Sequence, residues 1–295
     1  VQYVPDRWRG VVLDWLTNVK DWCISRQIWW GHSIPIEGSN DVFDTWFSSA
    51  LWPFAALGWP KATPDLKEFY PTSVITSARD IIHLWVSRMI FSGLEFTGHA
   101  PFSRVHIHGT VLTKDGTRMS KSLGTGIDPL VLIEQYGADA TRFGLMWQNM
   151  GGQDIHFSEE HVRAGKKFAN KIWNIARFII AQSSKIKSQN LKLQIKIENL
   201  HEEDKLIVEK LERTKRAVEE YIEKYEFGQA LHALYDFIWH DFADVYIEYS
   251  KTSMREETPH ILASTFVSIL KMLHPFMPFV TEEIYQSLPA DTRTV

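Results

Sequence analysis

A short basic segment at residues 118–122, with the sequence RMSKS, carries the strongest chemical signal in the chain. It places two cations, Arg118 and Lys121, beside the hydroxyl of Ser120 in a loop flanked by glycines. Such a loop suits a polyphosphate, because a lysine ammonium aimed at the phosphates stabilises the charge that develops during nucleotidyl transfer. A solvated basic turn accounts for the same letters, since short runs of Lys, Arg and Ser are common. The segment taken alone leaves both interpretations open.

Strand and turn signals position this segment. Residues 105–112 read as a strand, and residues 114–117 carry the Asp-Gly pair of a tight hairpin turn. Asp128 and Pro129 then open a helix as its N-cap and first residue. Upstream, residues 74–76 resemble a short buried strand, which leads into a helix whose apolar face holds Ile81, Ile82, Leu84, Trp85, Met89 and Ile90. Strand, helix and strand in this order predict part of an α/β sheet.

Helical periodicity dominates the rest of the chain. The apolar spacing predicts a first helix from Asp6 to about Arg26. Later, an N-cap serine followed by two acids starts a helix that ends near Ile180. Further helical stretches follow near residues 202–226, 228–251, 258–274 and 280–288. We therefore predict an α/β domain over residues 1–157 and an all-α helical bundle over residues 158–295.

Composition and charge exclude several protein classes. The 295 residues are 44% hydrophobic and 23% charged, which is typical of a globular protein of about two domains. No apolar run approaches the ~18 residues of a membrane span, so we expect no membrane partner. The lone Cys23 excludes an internal disulfide and a Cys-rich zinc site, and a cytoplasmic location is expected. Because the net charge is −4, a nucleic-acid partner must meet a local basic face.

The basic segment resembles the KMSKS signature of the class I aminoacyl-tRNA synthetases, with Arg118 in place of the first lysine. The chain is similar to the valyl branch of that class almost continuously to about residue 180, and more loosely to Leu288. The segments that carry this likeness are residues 21–32 (DWCISRQIWWGH), 41–54 (DVFDTWFSSALWPF), 57–60 (LGWP), 70–73 (YPTS), 128–129 (DP) and 136–140 (YGADA). The resemblance implies the carboxy-terminal part of a Rossmann-type catalytic domain, followed by a helical anticodon-binding domain.

The resemblance also implies roles for particular residues. Those implied to be catalytic are Lys121, Arg118 and Ser120. Those implied to bind ATP are Lys121, Arg118, Met119, Gly109, His108 and Asp80. Those implied to line a valine pocket are Trp46, Ile81 and Trp85. ATP with Mg²⁺ is then a substrate, and neither a tightly bound cofactor nor a protein-held metal is expected. Core packing is the alternative for the two tryptophans, and a structural role is the alternative for His108.

The implied valine pocket sets a physical limit on specificity. Ile81 and Trp85 are four residues apart on the predicted helix, so both can reach one cavity. Rigid indoles would set its size and exclude isoleucine. An apolar pocket cannot strongly reject an isostere that adds only a hydroxyl, a limit for which valyl enzymes are the standard illustration, so threonine should enter.

Several departures from the family bear on activity. No segment matches the HIGH signature of class I, Ala78 stands where the family has a glycine, and residues 37–40 replace a longer insertion. The chain starts at Val1 without an initiator Met or signal-peptide features, so it reads as the middle of a longer chain. The resemblance implies that the HIGH motif and a hydrolytic editing domain precede it, and that this piece alone is inactive.

The helical half carries the expected nucleic-acid contacts. The residues implied to bind tRNA are Lys166, Lys167, Lys171 and Arg177, with a solvated helix face as the alternative. Tyr235 and Trp239 either stack on bases or are buried in the bundle. The implied function is ATP-dependent ligation of valine to tRNA(Val) by an enzyme that is monomeric at full length. The alternatives are an isoleucine-tRNA ligase fragment and a tRNA-binding paralogue without catalysis.

Overall fold

Residues 1–120, 124–183, 200–253, 255 and 257–289 are described by a computed structural model of the chain. Contacts within the chain divide it into two units, Val1–Thr110 and Val111–Val295. This division falls at a different place from the boundary at residues 157 and 158 that the sequence pattern predicts, and that boundary stays a prediction.

Three parallel strands form the main sheet of the first unit. They are β1 (Gln2–Val4), β4 (Thr72–Ala78) and β5 (Phe102–His108), in the order β1-β5-β4. A separate antiparallel pair consists of β2 (Ser25–Arg26) and β3 (Val42–Phe43). The predicted strand, helix and strand of an α/β fold are confirmed, because the chain between β4 and β5 is helical and the two strands are parallel.

Helices cover the sheet of the first unit. They are α1 (Arg7–Thr17), α2 (Thr45–Ala50), α3 (Trp52–Ala55), α4 (Pro64–Phe69), a 3₁₀ turn at Arg79–Ile81, a π-helical segment at Ile82–Val86, and α5 (Ser87–Thr97). The apolar face of the π-helical segment and α5 packs with α1 and the sheet in one core. Its buried members are Tyr3, Val12, Ile82, Val86, Met89, Phe102, Val105 and Ile107.

The first helix is shorter than its apolar spacing predicts. It ends at Thr17, where the backbone N–H of Asn18 donates to the carbonyls of Asp14 and Trp15. The predicted continuation to Arg26 is wrong because the chain beyond the helix end finds partners far away in sequence. Arg26 belongs to β2, which pairs with β3. Long-range pairing outweighs a local helical period here.

Two strand predictions also need correction. The predicted strand over residues 105–112 is two strands, since β5 ends at His108 and β6 (Val111–Leu112) pairs with β7 (Ile155–His156) in the second unit. The strand predicted at residues 74–76 exists within β4, but the predicted burial does not hold for Val74, which is 38% exposed. Leu84 is likewise exposed, since the π-helical segment turns it away from the core face predicted for it.

Turn and cap chemistry at the start of the second unit agrees with the predictions. The N–H of Thr113 donates to the carbonyl of Thr117 at 2.8 Å, and Gly116 takes a φ of +80° in the turn between them. Leu112 and Arg118 then pair as an antiparallel bridge. Helix α6 (Pro129–Tyr136) begins at the predicted N-cap, because Asp128 Oδ1 accepts from the N–H of Leu130 at 2.9 Å.

The remainder of the second unit is the predicted helical bundle. Its helices are α7 (Ala138–Trp147), α8 (Glu159–Ser183), α9 (Glu202–Glu223), α10 (Phe227–Asp236), a π-helical segment at Phe237–Ile247, α11 (Glu248–Thr252), α12 (Thr258–Leu273) and α13 (Pro278–Ser287). One large core joins most of them, and its fully buried phenylalanines are Phe143, Phe168, Phe237, Phe242 and Phe266. Within the described ranges, no helix is both long and apolar enough to cross a membrane.

Glycines let α7 and α8 approach closely. A Cβ atom added to Gly144 would lie 2.7 Å from the backbone N and Cα of Val162, and one added to Gly165 would lie 2.9 Å from the carbonyl oxygen of Ala140. Both distances are far below van der Waals contact. The two helices therefore touch backbone to backbone, which fixes the start of α8 relative to α7.

Candidate functional site

The carboxyl ends of β4 and β5 bring together the residues expected to hold a nucleoside. Ala78, the last residue of β4, pairs in register with His108, the last residue of β5. Asp80 follows two residues after the end of β4, and Gly109 follows directly after β5. Ligands of open parallel sheets bind outside the carboxyl ends of the strands. Asp80, His108 and Gly109 thus share the edge of the sheet at which a ligand is expected.

The two histidines of β5 have different surroundings. His108 is exposed, and its Nδ1 lies 3.0 Å from the carbonyl oxygen of Gly109. With the proton on Nδ1, the ring donates to that carbonyl and leaves Nε2 as an acceptor. His106 is buried, with Nδ1 3.4 Å from the hydroxyl of Thr76. Burial lowers the pKa of His106, and the adjacent His108 lowers that pKa further, so His106 is a neutral residue of the core.

Trp85 contacts the helix that carries Trp46. The indole Nε1 of Trp85 donates to the carbonyl oxygen of Ser49 on α2 at 3.3 Å, and Trp46 is on the same helix. Trp46, Ile81 and Trp85 are all partly buried. Ile81 is the last residue of the 3₁₀ turn, and Trp85 belongs to the π-helical segment. The prediction that the two residues lie four apart on one α-helix is therefore wrong. Their shared role in a valine pocket stays a prediction.

Each partner of the Trp85–Ser49 contact lines a cavity. One, of about 730 Å³, is lined by Trp85 together with Trp52, Leu57, Val74, Ile75 and Phe102 among others. The other, of about 420 Å³, is lined by Ser48 and Ser49 with the exposed pair Trp29 and Trp30 and with Phe43. Both volumes are in the range of small-molecule sites. The lining of the first cavity is mainly apolar, whereas that of the second combines aromatic rings with the polar side chains of His32, Thr45, Ser48 and Ser49.

Asp44 is a buried carboxylate at the start of α2. It is 6% exposed, and its Oδ2 accepts from Trp22 Nε1 at 2.8 Å and from Arg26 Nη2 at 2.7 Å. Its Oδ1 accepts from the backbone N–H of Trp46 at 3.0 Å and so caps the helix. Arg88 Nη1 lies 3.7 Å from the same carboxylate. Our sequence analysis missed this cluster, although an Asp directly before Thr45-Trp46 is a helix N-cap pattern.

The basic segment is anchored at its described end. Met119 packs against the small core formed by Leu132, Ala140, Phe157 and Val162. The N–H of Ser120 donates to Thr125 Oγ1 at 3.0 Å, and the N–H of Thr125 donates to the carbonyl of Ser120 at 3.2 Å. Thr125 is another residue that the sequence analysis missed. The side chain of Arg118 is exposed. Lys121 and Ser122 lie outside the described residues.

Helix α8 presents cations on one face. From His161 to Ser183 its sequence contains no acidic residue. Lys167 and Arg177 are exposed, whereas Lys166 Nζ donates to the carbonyl of Gln135 at 3.0 Å. Lys171 Nζ forms an ion pair with Asp244 at 2.9 Å and lies 4.8 Å from the centre of the Trp239 ring. Two of the four expected tRNA contacts are thus partly engaged within the bundle.

The aromatic residues beside that face are stacked on one another. Tyr235 and Trp239 are partly buried, with ring centres 5.4 Å apart, and Tyr235 also contacts Phe168 at 4.9 Å. These contacts favour burial in the bundle over base stacking, the two interpretations that the sequence left open. No group of three or more His, Cys, Asp or Glu side chains comes together as a metal site in the described part of the chain.

Comparison with known families assigns both halves of the chain. A family model described as tRNA synthetases class I (I, L, M and V) matches residues 1–39 and 36–158. A second model, the anticodon-binding domain of tRNA ligase, matches residues 204–295. These matches confirm the predicted fold class of a partial Rossmann-type domain followed by a helical domain.

Curated relatives match over the whole chain. The valine–tRNA ligase of Geobacillus kaustophilus is 45% identical over 100% of this chain and 37% of its own length. The enzymes of the same name from Bacillus anthracis and Thermotoga maritima are 46% and 43% identical, over 100% and 98% of this chain and 36% of their own lengths. The chain thus spans little more than a third of the length of the curated relatives it matches.

Solved structures share the fold. Methionyl-tRNA synthetase of Mycobacterium tuberculosis bound by methionyl-adenylate superposes with a TM-score of 0.80 at 20% identity, over 99% of this chain and 59% of that one. A LeuRS–tRNA–LeuAMS ternary complex from Agrobacterium radiobacter K84 gives a TM-score of 0.70 at 18% identity, over 86% of this chain and 33% of that one. At these identities the likeness concerns the fold.

Proposed function

Since the chain belongs to the class I tRNA synthetases of the isoleucine, leucine, methionine and valine group, we propose that it works as part of a valine–tRNA ligase. It supplies the carboxy-terminal part of the catalytic domain and the anticodon-binding domain. The relatives with 42–46% identity that bear this name support valine over isoleucine as the amino acid. We expect the whole enzyme to act as a monomer in the cytoplasm.

One observation carries the proposal. The register of β4 and β5 brings Asp80 and the His108–Gly109 pair to the same edge of a parallel sheet. This is the edge at which a nucleotide binds in sheets of this kind. The exposed carboxylate of Asp80 is suited to the ribose hydroxyls, and the backbone after β5 is suited to the adenine.

The proposed reaction has two steps. A carboxylate oxygen of valine attacks the α-phosphorus of ATP, which enters with Mg²⁺, and the bond to pyrophosphate breaks. A hydroxyl of the 3′-terminal ribose of tRNA(Val) then attacks the valyl carbonyl, and AMP leaves. Catalysis rests mainly on orientation and charge stabilisation. Lys121, Arg118 and Ser120 hold the departing phosphates, while Met119 anchors the basic segment in the core. Trp46, Ile81 and Trp85 enclose the valine side chain.

The helical half binds the tRNA in this proposal. A basic helix face whose sequence has no acidic residue from His161 to Ser183 suits a phosphate backbone. Lys167 and Arg177 are exposed on α8 and make direct contacts. Lys166 and Lys171 contribute charge from positions at which they also contact the bundle.

The test is valine-dependent exchange of pyrophosphate into ATP by the protein at its natural length. We expect exchange with valine, weaker exchange with threonine and little with isoleucine. Exchange that depends on isoleucine instead would transfer the assignment to the isoleucyl branch. Binding of tRNA(Val) without exchange by any amino acid would leave a tRNA-binding paralogue as the function.

A further inference from the structure

We propose that Asp44 is the positioning residue of the amino-acid pocket, because its buried carboxylate fixes helix α2 and thereby Trp46 and the Ser49 contact of Trp85. The inference rests on the valine pocket proposed above. Asp44 does not reach the reacting atoms in this proposal; it acts through the helix that it begins.

Asp44 determines where α2 starts. Its side chain caps the N–H of Trp46, its backbone N–H donates to the carbonyl of Ile24 at 2.8 Å, and its carbonyl accepts from the N–H of Phe47 at 2.9 Å. The helix is only six residues long, so its direction depends on its first turn. A shift of Asp44 therefore moves Trp46, which lies two residues further on.

The same carboxylate balances two guanidinium groups. Arg26 forms a hydrogen-bonded ion pair with it, and Arg88 lies at 3.7 Å. The Arg88 side chain is 12% exposed, and its Nη1 makes no hydrogen bond within the described residues. Burial lowers the pKa of Arg88, and the charge of Asp44 acts in the opposite direction. A buried cation that loses its counter-ion is strongly unfavourable, so loss of this carboxylate would make the arginine move.

Arg88 also connects the cluster to the chain segment before β2. Its guanidinium carbon lies 3.6 Å from the centre of the Trp22 ring, and Trp22 Nε1 donates to Asp44. A cation over an indole face is attracted to it. The carboxylate, the indole and the guanidinium thus hold one another in place.

Helix α2 is therefore fixed at both ends to one helical run, residues 82–97. Asp44 at its first end faces Arg88, and Ser49 at its last turn accepts from Trp85, three residues before Arg88. Trp46 lies between these two attachment points. With both ends held, the distance between the helix and Trp85 has little freedom, and this distance sets the width of the proposed pocket.

The experiment is amino-acid-dependent pyrophosphate exchange by the natural-length protein carrying Asp44→Asn. This substitution keeps the size and a cap-accepting oxygen but removes the charge. We expect the KM for valine to rise about tenfold, with the preference for valine over threonine reduced and the KM for ATP within about twofold of wild type. The matched control is Asp128→Asn, which alters the N-cap of α6 and should change none of these values.

A double-mutant cycle tests the route through α2. Trp85→Phe removes the donor to Ser49, so its effect and that of Asp44→Asn should be non-additive if both act on one helix. Additive effects would overturn the positioning role. If Asp44→Asn lowers the melting temperature too far for assay, Arg88→Gln replaces it, because it disturbs the same end of α2 and leaves the cap intact.

Failure of this inference differs from failure of the proposed function. If Trp46→Phe and Trp85→Phe raise the KM for valine but Asp44→Asn and Arg88→Gln do not, the pocket stands and the positioning role is wrong. If neither tryptophan variant changes the KM for valine, the pocket itself is wrong, and the positioning role is wrong with it.

Discussion

Ser120 and Thr125 hold each other through two hydrogen bonds, one from the Ser120 N–H to the Thr125 hydroxyl at 3.0 Å and one from the Thr125 N–H to the Ser120 carbonyl at 3.2 Å. These bonds join the two sides of the basic loop at its base. The two residues that flank positions 121–124 are thus tied directly to each other. Together with the packing of Met119 against its core, this pair holds the described ends of the basic segment in place.

Replacement of Thr125 by valine should slow adenylate formation. The substitution keeps the branched shape and removes the hydroxyl that accepts from Ser120, a bond with a net contribution of about 1 kcal/mol. We expect roughly a five- to tenfold lower rate in the pre-steady state, with valine affinity unchanged. Thr141→Val removes a hydroxyl from α7 whose one partner among the described residues is the carbonyl of Gly137, and should have no effect on the rate. Equal slowing by both variants would contradict the role assigned to Thr125.

Replacement of Lys121 by alanine should act on the chemical step. Because its ammonium is proposed to stabilise the phosphates during transfer, Lys121→Ala should slow adenylate formation by roughly 10²-fold or more and leave the valine dissociation constant nearly constant. Stopped-flow kinetics and equilibrium titration measure the two quantities separately. Lys114→Ala, which removes an exposed lysine from the adjacent turn, is the control. Parallel losses in rate and affinity would refute the phosphate role.

The contact between α7 and α8 predicts that alanine at Gly144 destabilises the protein, whereas alanine at Gly10 does not. Gly144→Ala would push a methyl group to 2.7 Å from the backbone of Val162, which cannot yield like a flexible side chain. We expect the free energy of unfolding to fall by about 1–3 kcal/mol. Gly10→Ala in α1 has nothing within 4 Å of the new atom and should raise that free energy by up to about 1 kcal/mol. Urea unfolding of both variants measures the difference, and a stable Gly144→Ala protein would mean that the helices are further apart.

The buried His106 predicts a pH dependence of stability. Its pKa is lowered in the folded protein, whereas the unfolded chain takes up the proton near pH 6.5. The unfolded state therefore binds more protons below about pH 6.5, and the free energy of unfolding should decrease as the pH falls through this range. His83, whose pKa is also lowered by burial, contributes in the same direction.

His106→Asn should therefore reduce the slope of unfolding free energy against pH between about pH 7 and pH 5. His99→Asn, at an exposed position in the same unit, is the comparison variant. Urea titrations at several pH values provide the measurement. An unchanged slope in the His106 variant would show that the imidazole is protonated in the folded protein as easily as in the unfolded chain.

The sequence predicted elements whose signals are local. The Asp-Gly turn at residues 114–117, the N-cap at Asp128 and the start of α8 depend on neighbouring residues, and all three are confirmed. The predicted helix to Arg26 is wrong because that arginine pairs with Asp44, which is eighteen positions away. A hydrophobic period does not reveal such a pairing.

The candidate site likewise contains a part that the sequence predicted and a part that depends on residues far apart in the chain. The residues proposed to hold the nucleoside were expected from family resemblance, and the strand register adds that Asp80 and His108 follow strand ends at the same edge of the sheet. The attachment of both ends of α2 to the helical run 82–97 was not predicted, since no local pattern distinguishes Asp44, Ser49 or Arg88 in the sequence. Their importance arises from distances across the fold, which only the folded arrangement defines.

The hydrogen bond from Trp85 to Ser49 has a consequence for engineering. To make the proposed valine pocket accept a bulkier amino acid, a designer would first shorten Trp85. That change creates volume, but it also removes the indole donor that ties the last turn of α2. The enlarged pocket would then have a looser wall, and selectivity would fall along with the steric barrier. A side chain that is smaller but still donates toward Ser49, such as histidine or glutamine, is therefore the better starting point for redesign.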